Sequence, residues 1–259
     1  MKKLFVLGAA SLGLLALSAA SQAQIVYDDT FAGTGDLVGA SPTVGPAGVT
    51  WASAEGSGIY QENSGDLQVS TSGNAYTAAY LPVNGSSGVT LDGSEDFTLS
   101  CVVNTPQNGY GGIGLYTGAP GSLFSPGIGV LGDSSFVTYT VPGSPGNINY
   151  YFADGVGADG TISLVYSAEA GTLSYEVNGA IVNGYSGPLV YSVTPAQIQS
   201  ITDIGIGDQG SVSTDVPPVT YSNFQLSVTQ AVPEPATIWS AALGLIGLVG
   251  FQMRRSRKS

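Results

Sequence analysis

From Gln24 to Thr229 apolar side chains recur at alternate positions, and no long stretch keeps the spacing of a helix. Leu173, Tyr175 and Val177 alternate with Thr172, Ser174 and Glu176; Phe224, Leu226 and Val228 alternate with Gln225, Ser227 and Thr229. A period of two places each apolar set on one face of a strand. Phe97, Leu99, Cys101 and Val103 follow the same rule, and further strands are predicted over 25–28, 49–52, 67–70, 76–81, 113–116, 128–131, 136–141, 148–152 and 162–167. Asn178-Gly179 between Val177 and Ala180 is the signal for a two-residue hairpin, and Glu169-Ala170-Gly171 reads as the turn before it. The one helical turn expected is at Thr194-Pro195-Ala196-Gln197-Ile198, with Thr194 as N-cap. Many short strands joined by Gly-rich turns, with no internal repeat, predict one all-β, two-sheet antiparallel sandwich over residues 24–229.

Charge limits what can hold such a domain together. The six basic residues are Lys2, Lys3, Arg254, Arg255, Arg257 and Lys258, whereas all 18 Asp and Glu lie between Leu4 and Met253. That interval has a formal charge of −18 and no histidine, so no side-chain salt bridge can form within it. Apolar burial and backbone hydrogen bonds must carry the fold. The same lack of cations disfavours nucleic acid, sulfated glycans and phosphate ligands. Without histidine, Ser-His-Asp or Cys-His catalysis and imidazole ligation of a metal are excluded. Carboxylate and carbonyl oxygens remain, which suit Ca²⁺.

Both ends of the chain read as targeting segments. Residues 1–23 have Lys2 and Lys3, an apolar stretch from Leu4 and small residues before a cut, the three parts of a signal peptide, with cleavage expected between Ala23 and Gln24. Residues 230–259 contain Pro233-Glu234-Pro235, then sixteen residues from Ala236 to Phe251 with only Thr237 and Ser240 polar, then the four cations Arg254, Arg255, Arg257 and Lys258. As a helix the apolar run would reach ~24 Å, short of the ~30 Å hydrocarbon core, so it spans with local thinning. The basic residues after it form a cytoplasmic stop. Trp239 is expected at the outer interface as an anchor.

The order Pro-Glu-Pro, apolar span and basic terminus resembles the PEP-CTERM tail of exported bacterial envelope proteins. The resemblance implies recognition by an exosortase-type membrane enzyme that cleaves near Pro233, Glu234 and Pro235, with Ala236 to Met253 as transmembrane helix. It also implies a Gram-negative host that makes extracellular polysaccharide. The protein would be anchored in the cytoplasmic membrane until cut, and then reside in the envelope or matrix. Thr161 to Val182, followed by Asp203-Ile204-Gly205-Ile206-Gly207 and Tyr221 to Leu226, resembles the closing part of concanavalin A-like jelly rolls of the laminin-G type. Tyr27-Asp28-Asp29-Thr30-Phe31 similarly resembles the opening strand that pairs beside the final one.

Within the domain, several residues are candidates for chemistry. Asp28 and Asp29 by the first strand could meet Asp203 or Asp208 near the last and hold Ca²⁺; scattered solvated acids are the plainer alternative. Glu95-Asp96 are adjacent, so in a strand they point to opposite faces and read as a solvated strand entrance. The Glu-x-Asp-x-x-Glu string of retaining glucanases in this fold class is absent, which argues against a glycosidase. Tyr60, Tyr110, Tyr150 and Tyr151 lie near turns where sugar-binding loops would be expected, although aromatic residues of a sandwich more often fill its core. Trp51 is the one tryptophan outside the span, and Cys101, the sole cysteine, is expected as a small buried hydrophobe. The resulting expectation is a non-enzymatic envelope or matrix protein, with a carbohydrate-binding lectin-like module as alternative, a glycoside hydrolase behind both, and no cofactor required.

Overall fold

The computed structural model describes residues 22–54, 59–70, 76–105, 110–118, 127–132, 137–139, 159–184, 187–209 and 218–230. In chain order the strands begin with β1 (Gln22–Asp29), β2 (Thr34–Asp36), β3 (Ala52–Ala54), β4 (Ile59–Asn63), β5 (Asp66–Ser70) and β6 (Tyr76–Pro82). They continue with β7 (Asp96–Asn104), β8 (Tyr110–Tyr116), β9 (Gly127–Gly132), β10 (Val137–Tyr139), β11 (Gly160–Ser167) and β12 (Thr172–Val177). The remainder are β13 (Ala180–Ile181), β14 (Asn183–Gly184), β15 (Gly187–Pro188), β16 (Val190–Ser192), β17 (Asp203–Gln209) and β18 (Val219–Gln230). One sheet runs β13-β12-β11-β7-β18-β5-β4-β2, with β1 also on β18 and β16 also on β12; the other runs β10-β9-β8-β17-β6-β3. β14 and β15 pair only with each other.

Alternation in the sequence becomes alternation in burial. Along β7, Phe97, Leu99, Cys101 and Val103 are buried while Thr98, Ser100 and Val102 are not. Their register with Tyr166, Leu164, Ile162 and Gly160 on β11 keeps all the inward side chains in one layer. Residues of both sheets then share one core, with Ile113, Leu115, Ile204 and Ile206 of the six-stranded sheet joining Leu99, Leu173, Phe224 and Leu226 of the other. The expected two-sheet antiparallel sandwich is therefore present, and the domain from Ala23 to Gln230 is one unit.

Local signals resolve as expected. Asn178 and Gly179 have φ of 51° and 77°, the positive pair that a tight hairpin turn between β12 and β13 requires. Thr194 caps the helix α1 (Pro195–Gln199), with its side chain and that of Gln197 forming a reciprocal capping box. The expected strand over 49–52 begins only at Ala52. Trp51 instead exchanges backbone hydrogen bonds with the 39–40 segment, its N–H donating to Ala40 O and its carbonyl accepting from Gly39 N–H, both at 2.8 Å. The expected strand over 148–152 lies outside the described residues.

With no ion pair available, tyrosine hydroxyls tie the layers together. Tyr221 Oη on β18 donates to Gly207 O at 2.6 Å and accepts from Gly112 N–H at 3.1 Å, crossing from one sheet to the other. Tyr27 Oη donates to Pro82 O at 2.6 Å, Tyr166 Oη donates to Gly93 O at 2.9 Å, and Tyr60 and Thr77 share a hydroxyl–hydroxyl bond. Each tyrosine fills the core with its ring and satisfies a backbone or hydroxyl group with its tip.

The first and last strands are neighbours. β7 holds one edge of β18 and β5 holds the other from Val219 to Tyr221, leaving the stretch after it for β1. The Gln225 amide on β18 reaches Asp28 on β1 at 3.4 Å.

Candidate functional site

Strand parity separates the first pair of acids. Asp29 shares a face of β1 with Tyr27 and is turned into the core at 3% exposure, whereas Asp28 points away and its Oδ1 accepts from the Gln225 amide. Asp29 Oδ1 accepts from Phe31 N–H at 3.0 Å and from the Thr43 hydroxyl at 3.3 Å, and Oδ2 accepts from Trp51 Nε1 at 2.7 Å. Burial still pushes this carboxyl above its ordinary range, with the charge of Asp28 adding to the shift. Glu62 is raised as well, by burial and by the Asp29 charge.

Asp203 and Asp208 are five residues apart on β17 and so lie on opposite faces. Asp208 shares the inward face with Ile204 and Ile206 and is buried, near the tyrosine-rich end of the core; its charge helps raise the Tyr60 and Tyr221 hydroxyls, which burial raises most. Asp203 faces away from the core and is half-buried. No single face of β17 therefore offers both Asp203 and Asp208 to Asp28 or Asp29. Among the described residues no group of three or more His, Cys, Asp or Glu could hold a metal ion.

What does gather around Asp203 is aromatic. Its Oδ2 accepts from the Thr202 hydroxyl at 2.7 Å, and that same hydroxyl accepts from Gly118 N–H at 2.7 Å. The Asp203 charge helps raise the hydroxyls of Tyr27, Tyr80 and Tyr116, each raised first by burial, with Tyr27 pushed up to about 12. Asp203 itself is raised by burial. Tyr80 on β6 is half-buried, and Tyr116 on β8 is fully buried yet stands outside the main core cluster, on the face turned away from it.

Beside this margin runs a strip of glycine. Gly205 pairs with Tyr80 on one side and Gly114 on the other, and Gly114 pairs with Gly129; Gly207 pairs with Ala78 and Gly112. At Gly205 a Cβ would lie 2.1 Å from Ala79 O and 2.8 Å from Tyr80 Cα, so β6 approaches too closely for any side chain. On the side of β8 and β17 turned from the main core these glycines are buried, and Tyr80, Tyr116 and Asp203 border them. The sequence signal for it was present in Gly112, Gly114, Gly205 and Gly207 at alternate positions, although glycine usually reads as a strand breaker.

The other candidates take structural places. Tyr60 is a core residue, Tyr110 is half-buried at the start of β8, and Tyr150 and Tyr151 lie outside the described residues. Trp51 is buried against Phe224 at 5.1 Å between ring centroids and against Phe31 at 6.1 Å. Cys101 is fully buried with its thiol pushed up by burial, and Sγ points at Ser222 O at 3.4 Å beside a bulge in β18. Asp96 opens β7 and its Oδ1 accepts from Ala168 N–H at 2.7 Å, which is a strand-entrance role. Ala23 and Gln24 are exposed on β1. Pro233, Glu234, Pro235, Trp239, Arg254, Arg255, Arg257 and Lys258, with the expected span, lie outside the described residues, among which no helix is long and apolar enough to cross a membrane.

The raised carboxyls give a signed pH dependence. A carboxyl whose folded value exceeds its unfolded value opposes folding while ionised, and that cost is relieved as pH falls through the raised folded value. Asp29, Glu62 and Asp203 all shift this way, from ordinary values of 3.8, 4.5 and 3.8. The thermal midpoint of the domain is expected to rise on acidification from neutral pH and to level off near these ordinary values. A midpoint that falls steadily over the same window, followed by circular dichroism, would contradict the arrangement.

Comparison with known proteins adds one positive identification. Residues 231–255 match the family model for the PEP-CTERM protein-sorting motif. That motif marks an exported protein sorted by an exosortase. No curated protein matches the chain. Similar solved structures are lectin-type jelly rolls. One is peanut lectin bound to a nine-residue peptide, with 13% identity and a TM-score of 0.49 over 81% of this chain and 98% of that one. Others are the Emp47p carbohydrate recognition domain, with 12% identity and 0.45 over 80% and 98%, and the CBM2 module of the evolved Dit of Lactobacillus casei BL23 phage J-1, with 14% and 0.47 over 81% and 98%. At such identities and scores no ligand or activity carries over from them.

Proposed function

We propose that this chain is an exported bacterial envelope or extracellular-matrix protein with a structural or adhesive role and no catalytic activity, whose tail is cut by an exosortase-type enzyme at Pro233-Glu234-Pro235. The sorting motif at 231–255 carries this reading. Strand β18 ends at Gln230, where the motif begins, and only Ala231 and Val232 precede Pro233. Pro233 and Pro235 lack N–H groups and cannot extend the β18 ladder, so the processing segment starts where the sheet must stop. The segment from Ala236 to Met253 anchors the chain in the cytoplasmic membrane before the cut, with Arg254, Arg255, Arg257 and Lys258 as the stop.

Replacing Pro233, Glu234 and Pro235 together by alanine is expected to leave the chain in the membrane fraction with its basic terminal peptide intact, whereas the parent loses that peptide. Mass spectrometry of both forms from an exosortase-bearing host reads the difference. Parent protein that keeps Arg254 to Ser259 in such cells would refute the processing claim.

A second reading, in which the domain binds a neutral glycan, is favoured by the margin of Tyr80, Asp203 and Thr202. A half-buried carboxylate can accept from sugar hydroxyls and a half-buried ring can stack on a sugar face. On a glycan array with and without calcium, binding is expected to be calcium-independent and to weaken roughly tenfold or more in Asp203→Asn with Tyr80→Ala. Binding abolished by calcium removal, or unchanged in the double variant, would point elsewhere.

A further inference from the structure

We propose that the mature amino terminus is a modification site: Gln24, once freed, cyclises to pyroglutamate. The inference rests on the expected signal cleavage between Ala23 and Gln24 and concerns the new first residue, which is glutamine. In the reaction the α-amino nitrogen of Gln24 attacks its own side-chain carbonyl carbon, Cδ. A five-membered lactam forms, the Cδ–Nε2 bond breaks, and the nitrogen leaves as ammonia with the proton given up by the amine. No oxidant or co-reactant is consumed.

The surroundings of Gln24 permit this. Ala23, Gln24 and Ile25 are exposed, and β1 packs against the core from Val26 onward. Gln24 has the parity of Asp28, opposite to that of Tyr27 and Asp29, and its side chain is exposed. The lactam keeps one N–H and the backbone carbonyl of Gln24. The pairing of β1 with β18 therefore has no need to break when the ring closes. Neither neighbour offers the chemistry: a chain beginning at Ala23 or Ile25 has no side-chain amide at its first residue.

The consequence is electrostatic. Between Leu4 and Met253 there is no Lys, Arg or His, so after both targeting ends are removed the α-ammonium is the one ionisable cation left. Lactam formation removes it, and the processed domain then carries no positive group at any pH. Its first peptide bond is also closed to aminopeptidases that need a free amine.

The test uses the full chain expressed in an exporting host, with the mature protein analysed by tandem mass spectrometry after labelling of free amines. The expected first peptide begins at Gln24, is lighter by one ammonia, takes no amine label, and yields a new terminus at Ile25 after treatment with a pyroglutamyl peptidase. The Gln24→Ala variant should be cut at the same bond and should take the label. A first peptide that begins at Gln24 with full mass and a labelled amine overturns cyclisation while leaving the cut intact. A different first residue overturns the cut, and cyclisation with it.

Discussion

Gly205→Ala should unfold the sandwich or cost it at least ~3 kcal/mol, a large share of a typical domain's stability. The added carbon would sit 2.1 Å from Ala79 O and 2.8 Å from Tyr80 Cα, and both are backbone atoms of β6. β6 cannot yield without opening its seven-residue register with β17, from Asp203↔Pro82 to Gln209↔Tyr76. Gly111→Ala provides the contrast. There the Cβ would meet Val219 Cγ1 at 2.5 Å and Tyr221 Oη at 2.8 Å, which are side-chain rather than backbone atoms. Urea unfolding should rank Gly205→Ala well below Gly111→Ala, and equal midpoints would show that the close approach of β6 to Gly205 does not exist.

Trp51→Phe is the second substitution with a large expected effect, about 2–4 kcal/mol. It removes the Nε1 donor held at 2.7 Å by Asp29 Oδ2 and trims a ring packed on Phe224 and Phe31. The remaining carboxylate is buried with no cation to balance it, so losing one of its donors is costly. Adding Asp29→Asn to Trp51→Phe takes away the charge and should restore part of the loss. A double-mutant cycle with Asp29→Asn alone isolates the pair, and a coupling near zero would mean that the hydrogen bond contributes nothing to stability.

These two positions show what could and could not be read along the chain. Phe97 to Val103 and Asn178-Gly179 declare their structure locally, because strand parity and turn geometry act over a few residues. The opposite facing of Asp203 and Asp208 was equally legible, since an odd separation in a strand puts two side chains on different faces. β4 was missed because Ile59 is exposed and Tyr60 is its one fully buried residue, so it has almost no apolar alternation to detect. The Asp29–Trp51 bond and the Tyr221 bridge to Gly207 join residues that only the folded topology brings together. The glycine strip ran against propensity, since glycines weaken an isolated strand yet here allow β6, β17 and β8 to lie close.

The position of β18 also has a mechanical meaning. The chain that leads to the tail leaves from Gln230, and β18 is gripped on one side by β7 from Thr220 to Thr229 and on the other by β5 and β1. Ladder hydrogen bonds lie across the strand direction. A pull along β18 therefore loads many of them together in shear, whereas an edge strand such as β13 can be unzipped one bond at a time. A domain held by its last strand in this way is built to bear tension applied at its carboxyl-terminal end.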